Sequence, residues 1–274
     1  MTTNELTAGV GMENKKSMPV LFLGHGSPMN AIEENEFVEG FRALGKDIPK
    51  PRAIVCISAH WVTKGTLVTA MEQPPTIHDF GGFPQELYEV EYPTPGSPAL
   101  ARQIQSLVTK TTIGLDMEWG LDHGAWSVIR HLYPAADVPV IQLSLDYYQS
   151  PQWHYELGKE LRALRDDGVL IIGSGNIVHN LSLVDWSQLN TDDFGFDWAR
   201  EVMTKVNGSI LAGDHQALID FESQGQAFEL AIPTSEHYLP LLYVLSLQDS
   251  GETVTFYNDK SVAGALSMTS VKIG

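Results

Sequence analysis

Cysteine is nearly absent from this 274-residue chain, and the single Cys56 excludes an intramolecular disulfide and any cysteine-rich metal site. It lies in the apolar run Ala53-Ile54-Val55-Cys56-Ile57, where a small buried hydrophobe is expected. Basic residues are also scarce, 17 against 34 acidic ones, giving a formal net charge of −17. Such a surface repels phosphate backbones and anionic lipid, so neither nucleic acid nor a membrane is an expected partner. No apolar run approaches the ~18 residues of a membrane span. The first 17 residues, ending in Lys15-Lys16-Ser17, lack the apolar stretch of a secretory signal and read as a flexible polar tail. The expected location is the cytoplasm. Phosphate-loop and dinucleotide-binding glycine patterns are missing, so no nucleotide cofactor is expected. Ser27 and Ser174 lie outside any G-x-S-x-G elbow, and Ser174 reads as a turn residue.

What is present is the composition of a globular domain, 43% apolar and 19% charged, and residues 18–274 read as one unit. Short apolar runs mark buried strands at Pro19 to Leu23, Ala53 to Ser58, Thr66 to Met71, Val138 to Leu145 and Val169 to Ile172. Thr253 to Tyr257 and Leu266 to Ile273 close the chain as strands. Between them, helical spacing covers Phe37 to Leu44, a helix begun by Ser97-Pro98, Pro151 to Arg165, residues 195–221, and a helix capped by Ser235. This alternation predicts an α/β fold, a single-domain three-layer sandwich with a largely parallel central sheet and helices on both faces. Residues 72–96 hold five prolines and three glycines and form a long ordered loop of the functional kind.

Three of the nine histidines follow strand ends: His25 in Gly24-His25-Gly26-Ser27-Pro28, His60 in Ser58-Ala59-His60-Trp61, and His179 after Gly173-Ser174-Gly175-Asn176. Parallel strands present their carboxyl ends along one edge, so these residues can converge there. His237, in Ser235-Glu236-His237-Tyr238, falls in the first turn of its helix, where the dipole favours a neutral ring able to bind metal. Several imidazoles with open positions suit a catalytic Zn, Fe, Cu or Ni ion. His131, His154 and His215 lie in polar helical stretches and read as solvated, whereas His78 and His123 occupy loop-like contexts suited to a pocket.

These segments, together with Thr76-Ile77-His78-Asp79-Phe80-Gly81-Gly82-Phe83-Pro84, Asp122-His123-Gly124-Ala125-Trp126 and Glu236-His237-Tyr238-Leu239-Pro240, resemble the class III extradiol ring-cleaving dioxygenases, most closely their 4,5-DOPA dioxygenase branch. The resemblance runs from about Met18 to the C-terminus. It implies one mononuclear divalent metal, Fe(II) for activity or Zn(II) as isolated, with a catechol and O2 as substrates and a ring-opened semialdehyde as product. By position His25, His60 and His237 match metal ligands. His179 matches the acid/base histidine and is a candidate fourth ligand, and His123 matches a second catalytic histidine. The broader class often uses a glutamate as third ligand, which leaves Glu236 as a rival to His237. Trp61, His78, Phe80 and Tyr238 are candidate walls of an aromatic pocket. A zinc hydrolase and a non-catalytic metal-containing binding protein remain competing functions for the same histidines.

Overall fold

Alternate residues of the Val20–Gly24 strand part to opposite faces of a sheet, Val20 and Phe22 into one buried cluster, Leu21 and Leu23 into the other. The computed structural model describes residues 17–274, and the expected flexible tail lies outside the described residues apart from Ser17. Six strands form the main sheet in the order Val140–Gln142, Ala53–Ser58, Val169–Gly175, Val20–Gly24, Ser270–Ile273, Val254–Tyr257. The first four are parallel, Ser270–Ile273 runs against them, and the edge strand Val254–Tyr257 pairs antiparallel with Ser270–Ile273. Every residue of the two central strands Ala53–Ser58 and Val169–Gly175 is buried, as expected of strands covered on both sides.

Helices supply both covers. Helices Pro98–Leu107, Pro151–Glu160, Asp197–Ala212 and Leu239–Ser246 bury their apolar stripes against the face carrying Val20, Val55 and Ile171. Helices Glu36–Asp47 and His123–Leu132 cover the face carrying Leu21, Cys56 and Ile172. The result is the three-layer α/β arrangement that the alternation predicts. Among the described residues no helix is long and apolar enough to cross a membrane.

Several boundaries differ from the sequence pattern. Thr66–Thr69 leaves the main sheet and pairs with Ile113–Asp116, and the run from Val138 splits into Val140–Gln142 and Leu145–Asp146, the latter paired with Val62–Thr63. The expected helix over 195–221 is Asp197–Ala212, stopped by Gly213 in the left-handed region (φ 68°), followed by the short helix His215–Ile219. Helix Leu239–Ser246 starts later than expected. The Ser235 carbonyl, not its side chain, accepts the Tyr238 and Leu239 N–H groups, so His237 lies in the turn before the helix.

Three histidines expected in solvent are not there. His154 is fully buried with Nδ1 3.0 Å from the Tyr243 hydroxyl, His131 is buried with Nε2 2.7 Å from the Asn30 carbonyl, and His215 is half-buried between Tyr155 and Gln248. His154 and His215 have polar sequence neighbours, which say little about the side a helical residue faces, whereas His131 sits among Val128, Ile129 and Leu132 in a helix buried along nearly its whole length.

Glycine at the end of the central strand decides how closely the next segment approaches. A Cβ on Gly175 would lie 2.1 Å from the His237 carbonyl oxygen, the same oxygen that accepts the Asn176 N–H at 2.9 Å. Gly175→Ala is therefore expected to lower stability by about 1–3 kcal/mol in chemical denaturation, and an unchanged midpoint would show that the turn moves freely. Burial also lowers the His154 pKa to about 4, with Asp146 opposing in part. The unfolded chain takes up this proton below about pH 6.5 and the folded chain does not, so the contribution is complete above pH 6.5 and is lost toward pH 4. Urea titrations should show stability falling over that window with a slope reduced by about one proton in His154→Gln; identical slopes would contradict the assignment.

Candidate metal centre

Strand ends and one helix start bring five imidazoles together. His25 follows the Val20–Gly24 strand, and its N–H donates to the Gly175 carbonyl at 3.1 Å. His60 follows the Ala53–Ser58 strand, with its N–H donating to the Ser58 hydroxyl. His123 is the first residue of its helix, capped by Asp122, whose carboxylate accepts the Ala125 N–H. His179 is fixed by donation of its N–H to the Ala231 carbonyl, and His237 by the contact with Asn176 and Gly175.

His25, His60 and His123 form the tightest group, each offering a nitrogen within 4.8 Å of the others. The His25 and His60 Nε2 atoms are 3.2 Å apart. The His237 ring stands 5.3 Å from His25 and 5.0 Å from His60, and His179 stacks on His237 at 3.6 Å, nearly parallel. The sequence-predicted metal histidines thus share one region, joined by His123.

The outer nitrogens explain how the rings are turned. The Ser174 hydroxyl donates its one hydrogen to the Gly124 carbonyl, so at 3.0 Å it accepts from His25 Nδ1 and leaves His25 Nε2 bare. His237 Nδ1 lies 3.2 Å from Glu236 Oε1, and its Nε2 is buried without a hydrogen-bond partner among the described residues. His123 Nδ1 lies 3.0 Å from Asp79 Oδ2, and His60 Nδ1 lies 3.8 Å from the same oxygen. Nδ1 outward and Nε2 inward is the pattern of imidazoles supported from behind for metal binding. Two nitrogens sharing a metal at about 2.1 Å each stand about 3.0–3.4 Å apart, which the His25–His60 pair matches. The donor set fits a divalent ion of the zinc or iron type.

Electrostatics favour the same protonation state. Burial holds His25 well below the usual imidazole pKa, reinforced by the neighbouring rings of His60 and His237. His60 is lowered by burial and then by His123. Burial, then His237, brings His179 to about 3, although Glu236 acts in the other direction. Glu236 stays ionised despite burial because His237 and Thr234 hydrogen-bond to it. Its carboxylate oxygen Oε1 is engaged by His237 Nδ1 at 3.2 Å and by the Thr234 hydroxyl at 2.7 Å. Asp122, fully buried, is raised by burial and by the charge of Asp79, against donation from Gln142 and Ser58.

The aromatic residues divide. The Phe80 ring stands 5.5 Å from His123, edge to face. His78 is occupied with the Val90 carbonyl and packs against Phe80 and Trp126. Trp61 is buried and stacks on Trp119. Tyr238, expected as a pocket wall, is instead a core residue: it is fully buried, donates to the Leu218 carbonyl, and packs on Phe221. A groove of about 820 Å³ lined by Arg42, Lys46, Arg130 and His131 includes none of the five histidines. Sequence patterns missed the supporting groups. Ser174 is the penultimate, buried residue of its strand, not a turn residue, and Asp79 and Asp122 stood beside the histidines without a role.

A family model described as the catalytic LigB subunit of aromatic ring-opening dioxygenase matches residues 19–268. A curated relative from Escherichia coli K12 named 4,5-DOPA dioxygenase extradiol is 48% identical, the match covering 94% of this chain and 95% of the relative. One of the same name from Beta vulgaris is 35% identical, covering 92% and 94%. The crystal structure of an Escherichia coli K12 protein described as uncharacterized superposes with a TM-score of 0.79 at 43% identity, covering 94% of this chain and all of that one. With the match spanning nearly the whole described fold, the chain belongs to the LigB family of aromatic ring-opening dioxygenases.

Proposed function

We propose that this protein is a metal-dependent extradiol dioxygenase that inserts O2 into the ring of a DOPA-like catechol, giving a ring-opened semialdehyde. The observation that carries the reading is the inward Nε2 set: His25 Nε2 is bare, His60 Nε2 lies 3.2 Å from it, and His237 Nε2 is buried without a partner. The relatives named 4,5-DOPA dioxygenase extradiol support the substrate class. His25, His60 and His237 would hold the ion, with His179 close enough to join them. Fe(II) bound there supplies the one-electron chemistry that couples O2 to an aromatic ring, which Zn(II), without an accessible redox change, does not.

The protein's own contribution is to place imidazoles beside the substrate. His179, neutral at pH 7 because burial and His237 depress its pKa, accepts the proton of a catechol hydroxyl and returns it later in the reaction. His123, which offers one ring nitrogen to the cluster, accepts a hydrogen bond from the same region of the substrate. Phe80, edge-on to His123, offers an apolar contact to the ring.

Anaerobic loading with Fe(II), followed by oxygen-uptake and absorbance assays on a catechol panel including DOPA, should show one O2 consumed per ring opened. No uptake at verified iron occupancy, or ester hydrolysis by the zinc form, would refute the reading. His179→Ala is expected to keep most of its metal and lose about 10²- to 10⁴-fold in turnover, whereas His237→Ala should lose the metal. Equal metal loss in both would make His179 a required ligand.

A further inference from the structure

Asp79 is carried to the histidines by the proline-rich loop, and the ring-opening reaction does not by itself require it. The loop is clipped to the start of the His123 helix. Ile77 N–H donates to the Leu121 carbonyl at 2.7 Å, Leu121 N–H donates to the Pro75 carbonyl at 2.8 Å, and the Trp126 indole donates to the Ile77 carbonyl at 2.8 Å. Any side chain at Gly120 would collide with Pro75, so this seam is closely packed. The Asp79 carboxylate at its end is only 16% exposed.

Its two oxygens hold two parts of one residue. Oδ1 accepts the backbone N–H of His123 at 2.8 Å, while Oδ2 lies 3.0 Å from Nδ1 of the same histidine and 3.8 Å from His60 Nδ1. The neighbouring Asp122 cannot substitute, because Ser58, Gln142 and the Ala125 N–H already occupy it. We propose that Asp79 is a positioning residue that holds His123 in the Nδ1–H tautomer and so presents a bare Nε2 to the substrate; the proposal rests on the ring-opening reading of the cluster.

A carboxylate can only accept, so the ring nitrogen facing it carries the hydrogen, and a neutral imidazole has only one to carry. The Nδ1 contact has the distance of a hydrogen bond without its alignment, as is common at such sites before substrate tightens them. Anchoring backbone and ring with one group limits rotation of the side chain. Replacing the carboxylate by an amide places a donor opposite Nδ1 and favours the other tautomer, with Nε2–H turned to the cluster, where it can no longer accept.

The test has two arms. In zinc-loaded protein labelled with 15N-histidine, long-range 1H–15N spectra, with the His123 signal identified by its loss in His123→Gln, should show Nδ1–H in the wild type and a shift toward Nε2–H in Asp79→Asn. In the iron-loaded enzyme Asp79→Asn should keep its metal and its thermal midpoint, with kcat lowered about 10- to 100-fold and KM within about threefold. The same substitution should cost nothing further in a His123→Gln background. An Nε2–H tautomer in the wild type, an equal fold-loss in both backgrounds, or loss of metal in parallel with activity would overturn the assignment. A wild type that shows the Nδ1–H tautomer but opens no catechol would defeat the ring-opening reading and leave the placement of His123 by Asp79 standing.

Discussion

Burying several imidazoles against one another is tolerable only while they stay neutral and their inward nitrogens find something to bind. The rest of the site depends on that constraint. The Nδ1 atoms of His25 and His237 are occupied from behind, by Ser174 and Glu236, and that of His123 stands against Asp79, while His25 Nε2 is bare and His237 Nε2 is buried without a partner among the described residues. A cation satisfies this arrangement and a proton does not, since burial and mutual repulsion depress the ring pKa values.

The fold meets the constraint by stacking close approaches. The central strand Val169–Gly175 ends in small residues: Gly173 lies under the Pro240 carbonyl and Gly175 under that of His237. His237 can therefore sit beside residues carried by three parallel strands. Ser174, between those glycines, links His25 to the backbone of the His123 helix through Gly124. Asp122 ties Ser58, and through it the backbone of His60, to the same helix start. The supporting groups thus belong to the elements that carry the rings, which keeps the geometry rigid.

Much of this was legible in the sequence because strand ends are local signals. Gly24-His25 and Ser58-Ala59-His60 close apolar runs, and a parallel sheet brings such ends to one edge. Orientation was not legible. His154 stands among polar neighbours yet faces inward, and Tyr238, adjacent to a cluster histidine, turns into the core to reach Leu218. The partners of the rings were equally hidden, because Asp79 meets His123 across 44 residues and Ser174 meets His25 across 149. No periodicity records contacts of that range. The strand Ser270–Ile273 falls inside the expected run Leu266 to Ile273, but its antiparallel direction was not legible, since a short apolar run does not state its direction.

The imidazole cluster should bind a single ion through its inward nitrogens. Crystals grown with Zn(II) and measured at the metal edge test it most directly. One anomalous peak is expected, contacted by Nε2 of His25, His60 and His237, with Glu236 and Asp79 remaining on outer nitrogens. Coordination through Nδ1, a carboxylate of Glu236 or Asp79 on the ion, or no peak at saturating metal would contradict it.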